Sequence, residues 1–292
     1  MTSAVYRFQV GMFDCTTISD GSFAYPAPAQ IFFADAPEGP LGQALRGHAI
    51  EPQRWEAHVS PFHCLLVNTG RHLVLVDTGA GPIAPTTGYL AAHLRVLGVT
   101  PADIDTVILT HGHPDHIGGA LDQGGKPAFP NARYVMARAE WEFWAAEPDL
   151  ASLRAGELFT GMIKESARHN LPPIRRQLGL VQDGDAIVPG IRAVSAPGHT
   201  PGHLALLLES EGQSLLCLTD TVLHPLHLEH PGWTSVFDLD PAQTVRTRRL
   251  LLERAANDRT MVLAYHFPFP GLGNVVRAGD GWRWRPLVPE AA

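Results

Sequence analysis

Short apolar runs recur along the chain, separated by polar or glycine-rich turns. Residues 5–10 and 14–20 alternate in character and end at Asp20-Gly21, which predicts an opening pair of strands. The apolar runs at 62–67 and 72–77 are joined by Asn68-Thr69-Gly70-Arg71, which predicts a hairpin. The same criteria predict strands at 105–109, 133–136, 192–195, 203–208, 214–219 and 261–264.

Helical periodicity fills several intervals between these strands. Residues 87–97 form an amphipathic pattern that stops at Gly98, and helices are predicted over 138–147 and 149–168. A further helix is predicted from Asp240-Pro241 to about residue 256, with Asp240 as its N-cap and Pro241 in its first turn.

The pattern breaks down from about residue 22 to residue 61, which is rich in proline, alanine and glycine. An irregular segment of this length is typical of a lid or a binding loop, and a disordered surface loop is the alternative. The aromatic residues Phe32, Phe33 and Trp55 favour an ordered segment that lies near an active site or forms a dimer contact.

Length and composition bound the class of protein. A chain of 292 residues with 45% hydrophobic residues can bury a substantial core, and the absence of a linker predicts a single domain over 1–292. The formal net charge is −7, and the nearest basic cluster, Arg246, Arg248 and Arg249, falls on a predicted helix. We therefore expect no nucleic-acid partner.

The cysteines and the lengths of the apolar runs indicate the cellular compartment of the protein. Cys64 and Cys217 lie within apolar strand-like runs and Cys15 leaves the count odd, which predicts buried thiols rather than disulfides. No run approaches the 18 apolar residues of a membrane span. We expect a cytoplasmic protein with no membrane partner.

The most informative stretch is His111-Gly112-His113-Pro114-Asp115-His116, directly after the apolar run 107–109. Residues two apart in an extended segment point the same way, so His111 and His113 can converge on one ion. Pro114 stops the strand, which leaves Asp115 and His116 in the next turn to address a second ion. The spacing predicts two adjacent metal ions, and a solvated histidine cluster is the alternative.

Three more candidate ligands follow predicted strands. His199 lies in a loop fixed by glycines and prolines, Asp220 ends an apolar strand, and His266 follows the strand 261–264. His203 opens the next strand, and we expect it to be structural rather than a ligand.

In order, type and approximate spacing, these residues resemble the ligand set of dinuclear hydrolases of the metallo-β-lactamase superfamily, and the resemblance extends from about Val74 to Phe267. It implies an α/β fold, an αβ/βα four-layer sandwich, and makes Asp77 a buried acid that steadies the metal loop. It also implies one metal at His111, His113 and His199, a second at Asp115, His116 and His266, and Asp220 as the bridge.

Two divalent ions that share a water lower its pKa and supply a bridging hydroxide as the nucleophile. Asp115 and Asp220 are the candidate catalytic proton carriers, since each carboxylate would reach both the water and the leaving oxygen. Imidazole and carboxylate ligands suit zinc best, with manganese, iron or cobalt as alternatives.

Flanking segments refine the resemblance. Residues 18–21, 196–203 and 266–270 resemble lactonases and the methyl parathion hydrolase group. This implies hydrolysis of small, neutral or apolar lactones or aryl esters, with a side activity on organophosphate triesters. Acyl-homoserine lactonases usually carry a tyrosine three residues after the bridging aspartate; here Leu223 holds that position, and the adjacent His224 is the candidate catalytic substitute.

Two alternatives stay open. A glyoxalase II-like thioester hydrolase needs a basic clamp near the C-terminus, and Arg277, Arg283 and Arg285 show no evident pattern. A non-catalytic metal-binding protein on the same scaffold would have lost one or more ligands, and none of the expected ligand types is missing.

Overall fold

Two seven-stranded sheets carry the fold of residues 4–287, the range that the computed structural model describes. The strands follow one another in chain order across each sheet, β1 to β7 in the first and β8 to β14 in the second. They are β1 (Val5–Val10), β2 (Phe13–Pro26), β3 (Ala57–Asn68), β4 (Leu73–Val76), β5 (Thr106–Ile108), β6 (Arg133–Ala137), β7 (Leu178–Val181), β8 (Ala186–Val188), β9 (Ile191–Ser195), β10 (Leu204–Ser210), β11 (Gln213–Cys217), β12 (Met261–Leu263), β13 (Leu272–Ala278) and β14 (Gly281–Pro286).

Helices occupy the longer connections. They are α1 (Pro28–Phe32), α2 (Glu38–Gly47), α3 (Leu90–Val96), α4 (Pro114–Ile117), α5 (Arg138–Ala145), α6 (Gly156–Ile174), α7 (Leu226–Glu229) and α8 (Pro241–Asp258). Short 3-10 helices comprise Pro52–Arg54, Pro101–Asp103, Arg175–Gln177 and Thr219–Thr221.

The first sheet is antiparallel from β1 to β4 and parallel from β4 to β7. The second sheet is antiparallel except where β11 pairs with β12. Parallel pairing requires a crossover, and helices supply most of these connections. The carboxyl ends of β4, β5 and β6 therefore lie at one edge of the first sheet, and those of β11 and β12 at one edge of the second.

The two sheets pack against each other through one face each. Val67, Val74 and Ile108 of the first sheet belong to the same buried cluster as Leu206 and Leu215 of the second. These side chains alternate along their strands with residues that point the other way, as the period of a strand requires.

The outer faces of both sheets are covered by helices. Leu94 of α3 and Leu171 of α6 are buried in one cluster with Leu75 of β4, and Leu252 of α8 is buried with Leu216 of β11. The order is therefore helices, sheet, sheet, helix. The predicted α/β fold, an αβ/βα four-layer sandwich, is confirmed.

The expectation of irregular structure over about 22–61 is wrong, because this segment holds the end of β2, helices α1 and α2, and the start of β3. β2 and β3 stay paired beyond an irregularity at Ser19/Gly21, until Pro26 faces Ala57. Pro61 lies within β3, where β4 no longer covers the strand, and an edge position tolerates a residue without an N–H.

Most predicted elements are present with boundaries shifted by a few residues. The helix predicted over 149–168 is displaced, since α6 begins only at Gly156 and continues to Ile174. Leu150 is buried in the connection before it, so its apolar character came from packing rather than from helical period. Asp240 caps α8 as predicted, accepting a hydrogen bond from the Gln243 amide at 2.8 Å.

Cys15, Cys64 and Cys217 are free and buried, as predicted. Within residues 4–287, no helix combines the length and apolar content that crossing a bilayer would require. The ends of the predicted single domain, residues 1–3 and 288–292, lie outside the described residues.

Candidate metal centre

The histidine-rich motif lies where β5 leaves the first sheet. β5 is fully buried, and the chain after it bends at Gly112 and His113 before Pro114 begins α4. Because proline suits the first turn of a helix, Asp115 and His116 lie in that turn. His111 and His113 precede the helix, so the backbone runs in a different direction there.

Three later connections bring the remaining candidates to the same place. His199 lies between β9 and β10, Asp220 lies in the 3-10 helix after β11, and His266 follows β12. The parallel pair β11 and β12 delivers Asp220 and His266 at the same sheet edge, as the topology requires.

The seven side chains form two clusters that share one carboxylate. Within each cluster the donor atoms lie within 4.8 Å of one another. One cluster contains His111, His113, His199 and Asp220; the other contains Asp115, His116, Asp220 and His266. The structure thus brings together all seven residues selected from the sequence as metal ligands.

Asp220 lies between the two groups. Its carboxylate oxygens lie 3.1 Å from His116 Nε2, 3.3 Å from His199 Nε2 and 3.2 Å from His266 Nε2. The Asp115 carboxylate lies 3.5 Å from both His116 Nε2 and His266 Nε2. These separations leave room for ions between the donor atoms.

The donor atoms fit metal ions better than they fit one another. The Nε2 atoms of His111 and His116 are buried with no hydrogen-bond partner within residues 4–287, and so is Asp220 Oδ1, while Nδ1 of His113 lies 2.9 Å from Nε2 of His199. Unpaired buried polar atoms cost free energy, so such a concentration needs an occupant. Three imidazoles beside a carboxylate are a donor set suited to a divalent transition metal.

Burial and charge favour the metal-binding protonation states of His111, His113 and Asp220, whereas the neighbouring carboxylates raise the pKa values of His116 and His199. Burial lowers the pKa values of His111 and His113 well below the usual value, which keeps both rings neutral. Burial by itself would raise the pKa of Asp220, but the surrounding histidines, His116 foremost, hold it well below its usual range. Neutral imidazole and ionised carboxylate are the forms that coordinate metals.

Hydrogen bonds on the far side of three rings direct Nε2 into the site. His116 Nδ1 lies 2.8 Å from Asp77, His199 Nδ1 lies 2.9 Å from Asp238, and His266 Nδ1 lies 3.0 Å from Ser60 Oγ. Such partners fix both the tautomer and the ring orientation of a ligand.

Asp77 steadies the motif, as the resemblance implied. Its carboxylate also accepts hydrogen bonds from the amide and the hydroxyl of Thr110, both at 2.8 Å. Asp77 has a left-handed backbone with φ 59°, and so does Thr219, beside Asp220, with φ 44°. Strain of this kind in residues other than glycine concentrates at functional sites.

His203 is a positioning residue and belongs to neither cluster. Its Nδ1 donates to the Ala196 carbonyl at 2.9 Å, so its Nε2 accepts from the Asp220 amide at 3.1 Å and the Thr219 hydroxyl at 2.7 Å. The prediction that His203 is structural is confirmed.

Glu140 of α5 is a functional candidate that the sequence pattern did not reveal. Its buried carboxylate accepts four hydrogen bonds: from the Gly112 amide at 2.8 Å, Trp144 Nε1 at 2.6 Å, Thr200 Oγ1 at 2.7 Å and the Gly202 amide at 2.9 Å. Burial raises the pKa of Glu140 and these donors lower it, and only the ionised form satisfies all four. Glu140 therefore joins the loop of His111 and His113 to the loop of His199.

A cavity lies over the two clusters. His113, Asp115, His199, Asp220 and His266 face it, and no lysine or arginine lines it within the described chain. Its walls are mainly apolar and include Phe23, Phe32, Phe62, Phe159, Leu223 and Phe237. The paired extension of β2 and β3 supplies one wall, so the segment predicted as a loop does lie beside the site.

His224 lies elsewhere. Its buried ring is 5.1 Å from the ring of His58 and within 6 Å of Phe33 and Trp55. It lines a second, more polar cavity that His266 also borders, and it is not among the residues that line the cavity over the clusters.

The sequence profile of the metallo-beta-lactamase superfamily matches residues 61–266. Together with the four-layer fold and the paired His/Asp clusters, this match shows that the chain belongs to the metallo-beta-lactamase superfamily.

The more specific similarity is to lactonases. The chain is 28% identical to an N-acyl homoserine lactonase of Bacillus cereus over 179 residues, which cover 54% of this chain and 62% of that protein. It is 31% identical to N-acyl homoserine lactonase AttM of Rhizobium radiobacter over 180 residues, which cover 59% of this chain and 62% of that protein. The matches thus span less than two thirds of the length of these curated relatives.

Two solved structures match over nearly the whole chain. AidC, a dizinc quorum-quenching lactonase in complex with a product, has a TM-score of 0.90 and 25% identity over 99% of both chains. AbOPH, a hydrolase in the beta lactamase superfamily, has a TM-score of 0.87 and 26% identity over 100% of both chains.

Proposed function

We propose that this protein is a metal-dependent hydrolase that opens lactones, with zinc as the best-suited metal. The observation that carries the proposal is the pair of His/Asp clusters, joined by Asp220, at the base of a mainly apolar cavity that no lysine or arginine lines within the described chain. The lactonases among its relatives and the dizinc lactonase with the same fold support this substrate class.

In this proposal His111, His113 and His199 would hold one ion, Asp115, His116 and His266 would hold the other, and Asp220 would be available to both. Divalent ions bound there would supply a Lewis acid and lower the pKa of water to near neutrality. The residues of the chain keep ring nitrogens and carboxylate oxygens aimed at fixed points, so little reorganisation accompanies the reaction.

The reaction adds water to the lactone carbonyl carbon, breaks the ring C–O bond and leaves a hydroxy acid. One proton must move from the water to the leaving alkoxide oxygen. Both carboxylates face the cavity, but Asp115 is the better placed carrier, because its side chain is 12% exposed whereas that of Asp220 is 4% exposed and belongs to both clusters.

The mainly apolar lining of the cavity favours neutral substrates. Aryl esters and organophosphate triesters are neutral as well, and we propose them as side activities. A glutathione thioester is charged and would find no lysine or arginine in the cavity within the described chain, since Arg277 pairs with Glu253, and neither Arg283 nor Arg285 lines it. The homodimer and the cytoplasmic location stay predictions from the sequence.

The test is a chelator-controlled substrate panel. Protein loaded with zinc or manganese is assayed on N-hexanoyl homoserine lactone, γ-octalactone, nitrophenyl acetate, paraoxon and a glutathione thioester. We expect preference for the lactones, loss of activity with chelator and recovery when the metal returns. Preference for the thioester, or activity that survives removal of the metal, would refute the proposal.

A matched pair of variants tests the bridging role of Asp220. Asp220→Asn should lower the bound metal below two ions per chain and nearly abolish turnover. Asp258→Asn makes the same change of charge at the exposed end of α8 and should leave both unchanged. Full activity and normal metal content in Asp220→Asn would contradict the bridging assignment.

A further inference from the structure

Tyr25 is held rigidly in the wall of the cavity over the metal clusters. Its ring centroid lies 4.9 Å from that of Phe23, 5.3 Å from Phe32, 5.9 Å from Phe237 and 6.1 Å from Phe159. These neighbours come from β2, α1, α6 and the chain before α8. A phenol packed on several sides has little freedom, so the position of its hydroxyl is fixed in advance.

The Tyr25 hydroxyl has no hydrogen-bond partner within residues 4–287, although the residue borders the same cavity as Asp115 and Asp220. Burial and the charges of these two carboxylates raise the pKa of Tyr25 well above its usual value, so the hydroxyl stays protonated. The hydroxyl is therefore a hydrogen-bond donor for which residues 4–287 supply no acceptor.

The other polar side chains on the cavity wall are tied to the two clusters. Ser60 Oγ lies 3.0 Å from His266 Nδ1, and the remaining polar residues that line the cavity within the described chain belong to the clusters. The Tyr25 hydroxyl is therefore the lining hydroxyl whose oxygen contacts no other polar group of the described chain, and it can donate to a substrate carbonyl.

We infer that the Tyr25 hydroxyl donates a hydrogen bond to the reacting carbonyl oxygen of the lactone and is a catalytic residue. This oxygen gains negative charge as water adds to the carbonyl carbon, and a fixed donor in a site of low polarity stabilises that charge strongly. The inference rests on the proposed lactonase function. The inference assigns the contact with the substrate carbonyl to Tyr25 of β2, which is far along the chain from Leu223 and His224.

The test is Tyr25→Phe, which removes only the hydroxyl. We expect kcat to fall about 10- to 100-fold on both N-hexanoyl homoserine lactone and γ-octalactone, while KM changes little, because the donor acts on charge that develops in the transition state. The metal content and the thermal midpoint should match those of the wild type, since the hydroxyl holds no partner in the fold.

Tyr134→Phe is the matched control. Tyr134 is buried outside the cavity, and its hydroxyl donates to the Ala120 carbonyl at 3.1 Å and accepts from the Phe129 amide at 3.2 Å. Its removal should lower the thermal midpoint and leave kcat unchanged. The two variants therefore separate a catalytic hydroxyl from a structural one.

Each other outcome overturns the inference in a distinct way. Wild-type kcat in Tyr25→Phe on both lactones excludes the contact. A loss confined to the homoserine lactone assigns the hydroxyl to the side-chain amide, which γ-octalactone lacks, rather than to the reacting carbonyl. Metal-loaded wild type that is inactive on both lactones refutes the proposed function itself, and the inference falls with it.

Discussion

Substitution of Glu140 tests how the loop of His111 and His113 is held against the loop of His199. Each of its carboxylate oxygens accepts two hydrogen bonds, Oε1 from Gly112 and Trp144 and Oε2 from Thr200 and Gly202. Glu140→Gln keeps the size of the side chain but replaces one of these oxygens with an NH2 group. Whichever oxygen is replaced, two buried donors then face another donor.

The cost follows from these contacts. A buried donor left without an acceptor costs about 1–3 kcal/mol, so two would cost about 2–6 kcal/mol. The Thr200 hydroxyl can turn and accept from the new amide, and removal of a buried charge recovers some desolvation energy. We therefore expect the free energy of unfolding to fall by about 2–4 kcal/mol, a large share of the roughly 5–15 kcal/mol typical of a folded protein.

The assay is urea denaturation of the metal-free protein, followed by measurement of zinc content after dialysis of the reconstituted protein. We expect Glu140→Gln to hold fewer than two ions per chain, because its loops carry His111, His113 and His199. Glu142→Gln is the matched control on the same helix, since its side chain is 65% exposed. We expect it to change the unfolding free energy by less than about 0.5 kcal/mol. Equal stability and zinc content in both variants would refute the reasoning.

Other perturbations follow from the same geometry. His63 is buried with both ring nitrogens unpaired within the described chain, and burial lowers its pKa to about 3. As the pH falls below about 6.5, the histidine takes up a proton in the unfolded chain but not in the folded one, which destabilises the fold. Between pH 7.5 and 5 the free energy of unfolding, measured by urea denaturation, should therefore fall by about 2 kcal/mol more in wild type than in His63→Leu. Parallel pH profiles of the two proteins would contradict this. Gly112→Ala places a Cβ 2.3 Å from Trp144 Nε1 and should destabilise the fold by about 1–3 kcal/mol. The Cβ of Gly161→Ala meets open space, so this control variant should not be destabilised. Equal thermal midpoints in the two variants would contradict the predicted clash at Gly112. His224→Ala should leave kcat/KM on lactones within about twofold, because the ring faces the second cavity, and a tenfold loss would support the substrate-orienting role predicted from the sequence.

Much of the fold was readable from local patterns. The alternating runs placed most strands, because the side-chain period of a strand is local. The 22–61 segment carries no comparable local pattern, since the glycines and prolines around Leu41 and Leu45 of α2 hide the short helical period, and β2 and β3 extend each other only through pairing between distant segments.

By itself, the sequence selected the seven residues that the structure brings together in the two His/Asp clusters. His111, His113, Asp115 and His116 are close in the chain, and His199, Asp220 and His266 each follow a strand, in the loops where functional residues are often found. Only the tertiary structure decided what surrounds them, namely the Glu140 link between loops, the Ser60 and Asp238 contacts to histidines and the Tyr25 hydroxyl in the cavity. Ser60 and His266 are 206 positions apart, and Glu140 and Thr200 are 60 apart. Hydrogen bonds over such separations leave no periodic trace in a sequence, because they depend on how the sheets and helices pack rather than on the conformation of any one segment.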